Sequence, residues 1–390
     1  MIPYGKHSIS WRDIFKVAVQ LRFHSLTQGK RIEEFEKAFA EKVGARYAVS
    51  VSSATAGLHI SLLALKLPAG SVVATSPISF VASSNASLYA GLRPLFVDVS
   101  SESFNIDVKI LESELDRNPM VSAIIPVHYS GLACEMTEIA RIAQKNKVKV
   151  IEDAAHALGA TYDTGEPVGC CKYSDITVFS MHPVKSVTTG EGGMITTNSE
   201  SIYRQLLRLR SHGINKMDDN FLSPLHSKTG HVENLWYYEM QELGFHYRLT
   251  EIQAALGISQ LKRLDRFISK RRKIARFYFD CFKENENFTI PRGFNLDQSS
   301  HHLFTIQIDF NKTKKSKNQI MHELRESGIT TQVHYMPIPL HPYYSTLGYS
   351  VDNIPEAMNF YYSTLSIPIF PDLSRSKMSL VVKLIKKVVV

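Results

Sequence analysis

Cysteine is scarce in this chain: 4 residues in 390, two of them adjacent at Cys170 and Cys171. So few cannot staple a chain of this length, and neighbouring cysteines form neither a comfortable bridge nor a CxxC site. A disulfide scaffold is excluded, and a reducing cytoplasm is the expected compartment. Long apolar runs are missing as well. Stretches such as Ala123-Ile-Ile-Pro-Val127 fall far below the ~20 residues that a membrane helix needs, so no membrane association is expected. The opening residues Met1-Ile-Pro-Tyr-Gly-Lys-His7 contain no apolar h-region, and secretion is not expected. No dense basic tract occurs either. The richest run, Lys312-Thr-Lys-Lys-Ser-Lys317, reads as a solvated loop or helix start. Lys+Arg 45 against Asp+Glu 37 leaves a net charge of only +8 with His neutral. That balance suits an anionic small molecule, and nothing in it selects nucleic acid. There is no GxGxxG fingerprint, which weakens a nicotinamide dehydrogenase reading. Internal repeats and low-complexity segments are also missing, and no metal site is expected.

What is present is an alternation of two periods. Ile32, Phe35, Phe39 and Val43 recur at helical spacing, followed by the short apolar run Tyr47-Ala-Val-Ser-Val51. Leu58, Leu62 and Leu65 restore the helical period before Val72-Val-Ala-Thr75. The same exchange continues through Pro94–Val99, Ala123–Val127, a helix carrying Met136, Ile139 and Ala143, and Val148–Ile151. Ile176–Ser180, Met194–Thr197 and a helix with Ile202, Leu206 and Leu209 complete it. Nearly continuous apolar strands separated by helices predict an α/β domain, a mainly parallel sheet covered on both faces. The segment Gly213–Gln241 is polar and ends in Leu235-Trp-Tyr-Tyr238, and a loop of that length is expected to be functional or a partner contact. A basic helix over Lys262–Lys273 then leads to a strand at His302–Ile308, a helix at Gln319–Glu326 and a strand at Thr331–Tyr335, a small α+β domain. The expected division is an N-terminal arm over 1–30, a large domain over 31–262 and a small C-terminal domain over 263–390.

Ligands in open α/β sheets collect outside the carboxyl ends of the strands, and three polar clusters lie at such ends. Ser52-Ser-Ala-Thr-Ala-Gly57 follows a strand and opens a helix. Free backbone N–H groups and the helix dipole make an anion cradle there, or else Ser53 or Thr55 is an ordinary N-cap. Ile151-Glu-Asp-Ala-Ala-His156 puts two acids at a strand end, one of which can face a cationic ring nitrogen; a capping Asp and a partly buried His is the plain alternative. Phe179-Ser-Met-His-Pro-Val-Lys185, followed by Thr188-Thr-Gly-Glu-Gly-Gly193, sets a single lysine in a glycine-rich loop between two strands. A partly desolvated amine favours its neutral, nucleophilic form. An anion cradle, a counter-charge and an amine are together what pyridoxal phosphate requires of a protein.

Over nearly its whole length the chain resembles the DegT/StrS group of nucleotide-sugar aminotransferases. The resemblance runs through Leu26-Thr-Gln-Gly-Lys-Arg31, Ser52–Thr55, Ser76–Ala82, Glu152–His156, Phe179–Lys185, Thr189–Gly193, Arg210–Gly213, Tyr247–Ala255 and Gln332–Tyr335. Within the group it is most similar to the UDP-4-keto-6-deoxy-sugar 4-aminotransferases of pseudaminic acid biosynthesis, on Ile2–Gly5, Pro77–Phe80 and Trp236–Gly244.

The resemblance implies a pyridoxal-phosphate-dependent transferase of fold type I, a homodimer with shared active sites. By carry-over, Lys185 bonds the cofactor's aldehyde carbon and later moves a proton. Asp153 pairs with the pyridinium nitrogen, and His156 contacts the ring hydroxyl edge. Ala54, Thr55 and Ser180 hold the phosphate, and Phe80 stacks on the ring. Tyr4, Leu26, Thr27, Gln332, His334 and Tyr335 match substrate-contacting positions. His246, in Gly244-Phe-His-Tyr-Arg248, stands where the family commonly supplies Asn across the dimer interface. The implied reaction moves the amino group of L-glutamate to C4 of a UDP-4-keto-6-deoxy-N-acetyl-hexose. The alternative is 4-amination of another nucleotide ketosugar, of the perosamine or 4-amino-arabinose type.

Overall fold

The computed structural model describes residues 1–216, 221–223, 227–229, 232–291 and 295–389. The apolar runs form the expected strands β1 (Tyr47–Val51), β2 (Val72–Thr75), β3 (Arg93–Phe96), β4 (Val121–Ile125), β5 (Lys149–Asp153), β6 (Ile176–Ser180) and β7 (Gly193–Thr197). They build one seven-stranded sheet in the order β1-β7-β6-β5-β4-β2-β3. The β2–β3, β2–β4, β4–β5 and β5–β6 pairs are parallel, whereas β7 runs antiparallel to both β1 and β6. Strand β1 therefore points the same way as β6, and β1, β5 and β6 all end on one edge of the sheet.

Helices cover both faces, as apolar strands buried on both sides require. They are α1 (Trp11–Phe23), α2 (Lys30–Val43), α3 (Ala54–Ala64), α4 (Ala82–Tyr89), α5 (Val108–Arg117), α6 (Met136–Asn146), α7 (Glu200–Arg210) and α8 (Glu251–Leu261). One apolar cluster joins Phe35, Phe39, Met136, Ile139 and Phe179; another, on the opposite face, joins Leu58, Ile60, Ile151, Val178 and Leu206. Side chains alternate across a strand, which is why Val178 and Phe179 enter different clusters.

Helix starts are specified locally. Ser10 with Asp13 and Thr250 with Gln253 form reciprocal capping boxes. Helix α2 begins at Gly29 with no side-chain cap of its own. The buried Glu251 carboxylate supplies one from a distance, accepting from the Gly29 and Arg31 amides at 2.8 Å each. The Glu251 amide in turn donates to the Leu26 carbonyl at 3.0 Å, which pins the turn that carries Leu26 and Thr27.

In the segment 213–241, residues 217–220, 224–226 and 230–231 lie outside the described residues. The rest contains the short strands β8 (Ile214–Asn215), β9 (Lys228–Thr229), β10 (Val232–Glu233) and β11 (Glu239–Met240).

The basic helix α9 runs further than its charges suggest, over Leu264–Phe282. Its first turns enter the cluster on the large sheet through Leu264 and Ile268. Its later turns enter another cluster through Ile274, Tyr278 and Phe282. That second cluster gathers β12 (Phe288–Thr289), β13 (Phe304–Ile308), α10 (Lys317–Glu326), β14 (Thr364–Ile367) and α13 (Arg375–Val389). Between β13 and α13 lie α11 (Pro342–Thr346) and α12 (Pro355–Ser363). Ile2 also belongs to it, pairing in parallel with Ile329. The strand expected at Thr331–Tyr335 is not formed. Gln332 makes a single antiparallel bridge to Ser366, after which the chain leaves the edge of β14 and turns toward the large sheet.

Candidate active site

At the common edge of β1, β5 and β6, each strand hands over to a different chemical device. After β1 the chain opens α3. Ser53 is its N-cap, with Oγ accepting from the Ala56 amide at 3.1 Å. The Ala54 and Thr55 N–H groups belong to the first turn and have no intrahelical acceptor. Strand β7 starts beside them, and a Cβ on Gly193 would lie 2.7 Å from the Ala54 nitrogen. Only a residue without a side chain lets that strand approach so closely.

Strand β5 ends in two adjacent acids that face opposite ways, as strand geometry dictates. Asp153 faces the cavity, 5 % exposed, with Ser83 Oγ donating to one carboxylate oxygen at 2.6 Å and the Ala155 amide to the other at 3.1 Å. Glu152 faces the interior. It contacts His128 Nε2 at 2.7 Å and accepts hydrogen bonds from Tyr162, Ser174 and Thr177. Burial works against the charge of His128, yet Cys134 and Glu152 lift its imidazole to about 10. The backbone ties this buried pair to the strand end, because the His128 amide donates to the Asp153 carbonyl at 3.1 Å.

Strand β6 ends at Ser180 and leads into the lysine loop. The loop is closed by the Met181 amide on the Gly192 carbonyl at 2.9 Å and the Thr189 amide on the Met181 carbonyl at 3.1 Å. Lys185 extends from it into the interior. Burial pushes its amine down to about 8; the Asp153 carboxylate opposes the shift and the Arg271 guanidinium adds to it. Its hydrogen-bond partner is His302 Nε2, at 3.4 Å.

These devices line one cavity of about 560 Å³, a size suited to a small-molecule or cofactor site. Of the residues singled out in the sequence, Ala54, Thr55, Phe80, Asp153, His156, Ser180 and Lys185 are on its wall, together with Tyr4, Gln332, His334 and Tyr335. Phe80 sits at the mouth, 61 % exposed, its ring 6.4 Å from that of Tyr335. His156 Nε2 is 3.1 Å from the Tyr335 hydroxyl, and His156 Nδ1 is buried with no hydrogen-bond partner. Burial drives His156 and His302 well below the usual imidazole value, and His334 to about 3.

Three expected residues are elsewhere. Leu26 and Thr27 lie on the exposed turn before α2, and His246 bridges to Ser211 with its ring 5.5 Å from that of His212. None of them lines the cavity of its own chain.

Sequence reasoning passed over His302, which it absorbed into a strand, and Ser83, the partner of Asp153. Nothing local in the sequence distinguishes either. Both act on cavity residues through contacts spanning 70 or more residues, Ser83 to Asp153 and His302 to Lys185.

Pyridoxal phosphate fits these residues. A helix N-terminus with unused N–H groups can take a phosphate, and a buried carboxylate can take a pyridinium. The buried amine can take an aldehyde, and the unpartnered His156 Nδ1 offers a polar edge.

Comparison with known proteins agrees. Residues 9–386 match the DegT/DnrJ/EryC1/StrS aminotransferase family. The chain is 36% identical over 375 residues to a UDP-4-amino-4,6-dideoxy-N-acetyl-beta-L-altrosamine transaminase of Campylobacter jejuni, covering 96% of this chain and 94% of that one. Among solved structures it is similar to PseC of Helicobacter pylori, an aminotransferase involved in the biosynthesis of pseudoaminic acid. The TM-score is 0.89 with 31% identity, over 100% of this chain and 99% of the other. It is also similar to the PLP form of a Streptococcus pneumoniae protein described as a sugar aminotransferase, with TM-score 0.88 and 27% identity over 99% and 98% of the two chains. The chain therefore belongs to the DegT/DnrJ/EryC1/StrS aminotransferase family, with the fold type I architecture, and is a pyridoxal-phosphate-dependent sugar aminotransferase.

Proposed function

We propose that this enzyme transfers the amino group of L-glutamate to C4 of a UDP-linked 4-keto-6-deoxy-N-acetyl-hexose and releases 2-oxoglutarate. The observation that carries this reading is one cavity in which an amine, a carboxylate and an anion cradle converge. A 36% identity over 96% of the chain to a UDP-4-amino-4,6-dideoxy-N-acetyl-beta-L-altrosamine transaminase supports the substrate class.

When bound, pyridoxal phosphate supplies an electron sink for the carbanion that forms as the proton leaves. The chain's own residues do the rest. Ala54, Thr55 and Ser180 hold the phosphate at the start of α3. Asp153 keeps the ring nitrogen protonated, and its bonds from Ser83 and the Ala155 amide fix the carboxylate so that it does not rotate away. Phe80 covers one face of the ring, and His156 contacts its hydroxyl edge. The Lys185 amine would take the proton from the donor's α-carbon in the first half-reaction and would deliver a proton to C4 of the sugar in the second. An amine with a value near 8 is suited to both directions. Tyr4, Gln332, His334 and Tyr335 contact the sugar.

The active form we propose is a homodimer in which Leu26, Thr27 and His246 reach the site of the partner. Exposed apolar side chains at Trp11, Phe15, Leu235 and Trp236 support such a buried face. We divide the chain at 1–30, 31–262 and 263–390, in keeping with apolar clusters that meet along α9. Four unpaired cysteines support a reducing, cytoplasmic setting. Among the described residues no helix is long and apolar enough to cross a membrane.

The test is product analysis by NMR after incubation with L-glutamate and each of two C5-epimeric UDP-4-keto-6-deoxy-N-acetyl-hexoses. The expected product is the 4-amino sugar from one epimer. Amination of neither, with turnover of a perosamine-type or 4-amino-arabinose-type ketosugar instead, would replace the substrate assignment.

A further inference from the structure

We propose that His302 is a positioning residue for Lys185, its bare Nε2 accepting a hydrogen bond from the protonated amine and holding that amine on the cavity side where the proton must be delivered. The proposal rests on the reading of Lys185 given above.

The geometry argues for it in three steps. The Lys185 side chain is half-buried at the cavity wall, and its hydrogen-bond partner is His302 Nε2, at 3.4 Å. An ammonium has three donors and no lone pair. Once protonated it can only donate, so a His302 Nε2 paired with it carries no proton. Finally, the histidine is held at its backbone rather than at its ring. Arg271 NH1 donates to the His302 carbonyl at 3.1 Å and to the His301 carbonyl at 3.2 Å. Ser130 Oγ donates to the Leu303 carbonyl at 2.9 Å, and Ser300 Oγ to the His156 carbonyl at 2.6 Å. Gly131 admits this segment, because a Cβ there would lie 2.2 Å from Ser300 Oγ. His302 Nδ1 is buried without a hydrogen-bond partner, so no competing contact turns the ring.

The charged and titratable groups around the pair are few. Asp153 at the end of β5 favours the ammonium, and Arg271 on α9 disfavours it. His156, whose ring lies 4.3 Å from that of His302, and His334 are both held neutral by burial. Glu191 lies on the cavity wall. His302 itself is driven well below the ordinary imidazole value, first by burial and then by Lys185. It therefore acts as a neutral acceptor and does not compete for the proton. In the reaction Lys185 gains one proton from carbon and gives one proton back to carbon. His302 neither gains nor loses one; it orients the N–H bonds between the two events.

The experiment uses the full chain stripped of cofactor by dialysis against hydroxylamine. The pH dependence of Lys185 acetylation by acetic anhydride is then followed by peptide mass spectrometry. Removing the acceptor with a dry, similar-sized side chain, His302→Leu, disfavours the ammonium. The Lys185 midpoint should fall from the wild-type value by about one pH unit, a tenfold change in the ratio of charged to neutral amine. His302→Gln retains an acceptor oxygen and should stay within about half a unit of wild type. A His302→Leu midpoint equal to wild type, or a Gln midpoint displaced as far as that of Leu, overturns the proposal. Should the Leu variant not fold, 15N NMR of histidine-labelled wild type decides. An Nε2 signal of an unprotonated nitrogen that shifts with the Lys185 midpoint supports the bond, and a protonated Nε2 across that range refutes it. Neither readout requires turnover. A displaced midpoint in a protein that aminates no sugar would retain this hydrogen bond while discarding the functional reading.

Discussion

Around Asp153 and Lys185 the cavity is lined by mutually bonded residues of one chain, whereas three residues expected at its outer margin do not line it. On the floor, Asp153 is 5 % exposed, Lys185 is half-buried, and each is bonded to a named partner from a different part of the fold. Behind them Glu152 and His128 form a fully buried pair whose polar atoms are all engaged. At the margin, Phe80 is 61 % exposed, and Leu26, Thr27 and His246 do not line their own cavity. Trp236 and Leu235 present apolar surface with nothing described against it. The difference separates two jobs. Holding a cofactor needs a rigid, dry, preorganised floor, since displaced charges lose their value in proportion to the water admitted. A margin completed by a second copy, as proposed above, would serve the binding of a large sugar substrate.

Breaking the floor should cost more than breaking the margin. Asp153→Asn removes the counter-charge while preserving shape, and should lower the rates of both half-reactions by about a hundredfold. Rapid mixing of holoenzyme with L-glutamate alone, followed by absorbance, checks the first half without any sugar. A variant that keeps its donor half-reaction would remove Asp153 from the ring nitrogen. The smaller effect is expected at the margin. His246→Ala should raise KM for the ketosugar about fivefold, the scale of one hydrogen bond, and leave the glutamate half-reaction unchanged. Mixing His246→Ala with Lys185→Ala subunits sharpens the contrast. If His246 serves the partner's site, the mixed dimer has one active site with normal KM; if it serves its own chain's site, the one active site has raised KM. Equal loss in both half-reactions for His246→Ala would erase the distinction between floor and margin.

Much of this was legible in the sequence. The strand runs, the order of helices and the three strand-end clusters follow from periodicity and small polar residues. The lysine announces itself by standing alone among glycines. What stayed hidden depends on long-range geometry. Glu152 and Asp153 look equivalent as letters, and only the alternation of β5 sends one to the cavity and the other to His128. The Thr331–Tyr335 run has the composition of a strand, but just one of its residues meets the edge of β14, so it forms a wall of the site rather than a ladder. His302 precedes an apolar run and reads as its first residue. Its role appears only when Arg271, buried on a helix 31 residues earlier, fixes its carbonyl.

The central claim is that the Lys185 amine bonds to the aldehyde of bound pyridoxal phosphate. Borohydride reduction of the purified holoenzyme, followed by proteolysis and mass spectrometry, tests it in one step. The account predicts the reduced cofactor's mass on the peptide containing Lys185 and on no other. Its appearance on a different lysine, or full recovery of an unmodified Lys185 peptide from a cofactor-loaded protein, would contradict it.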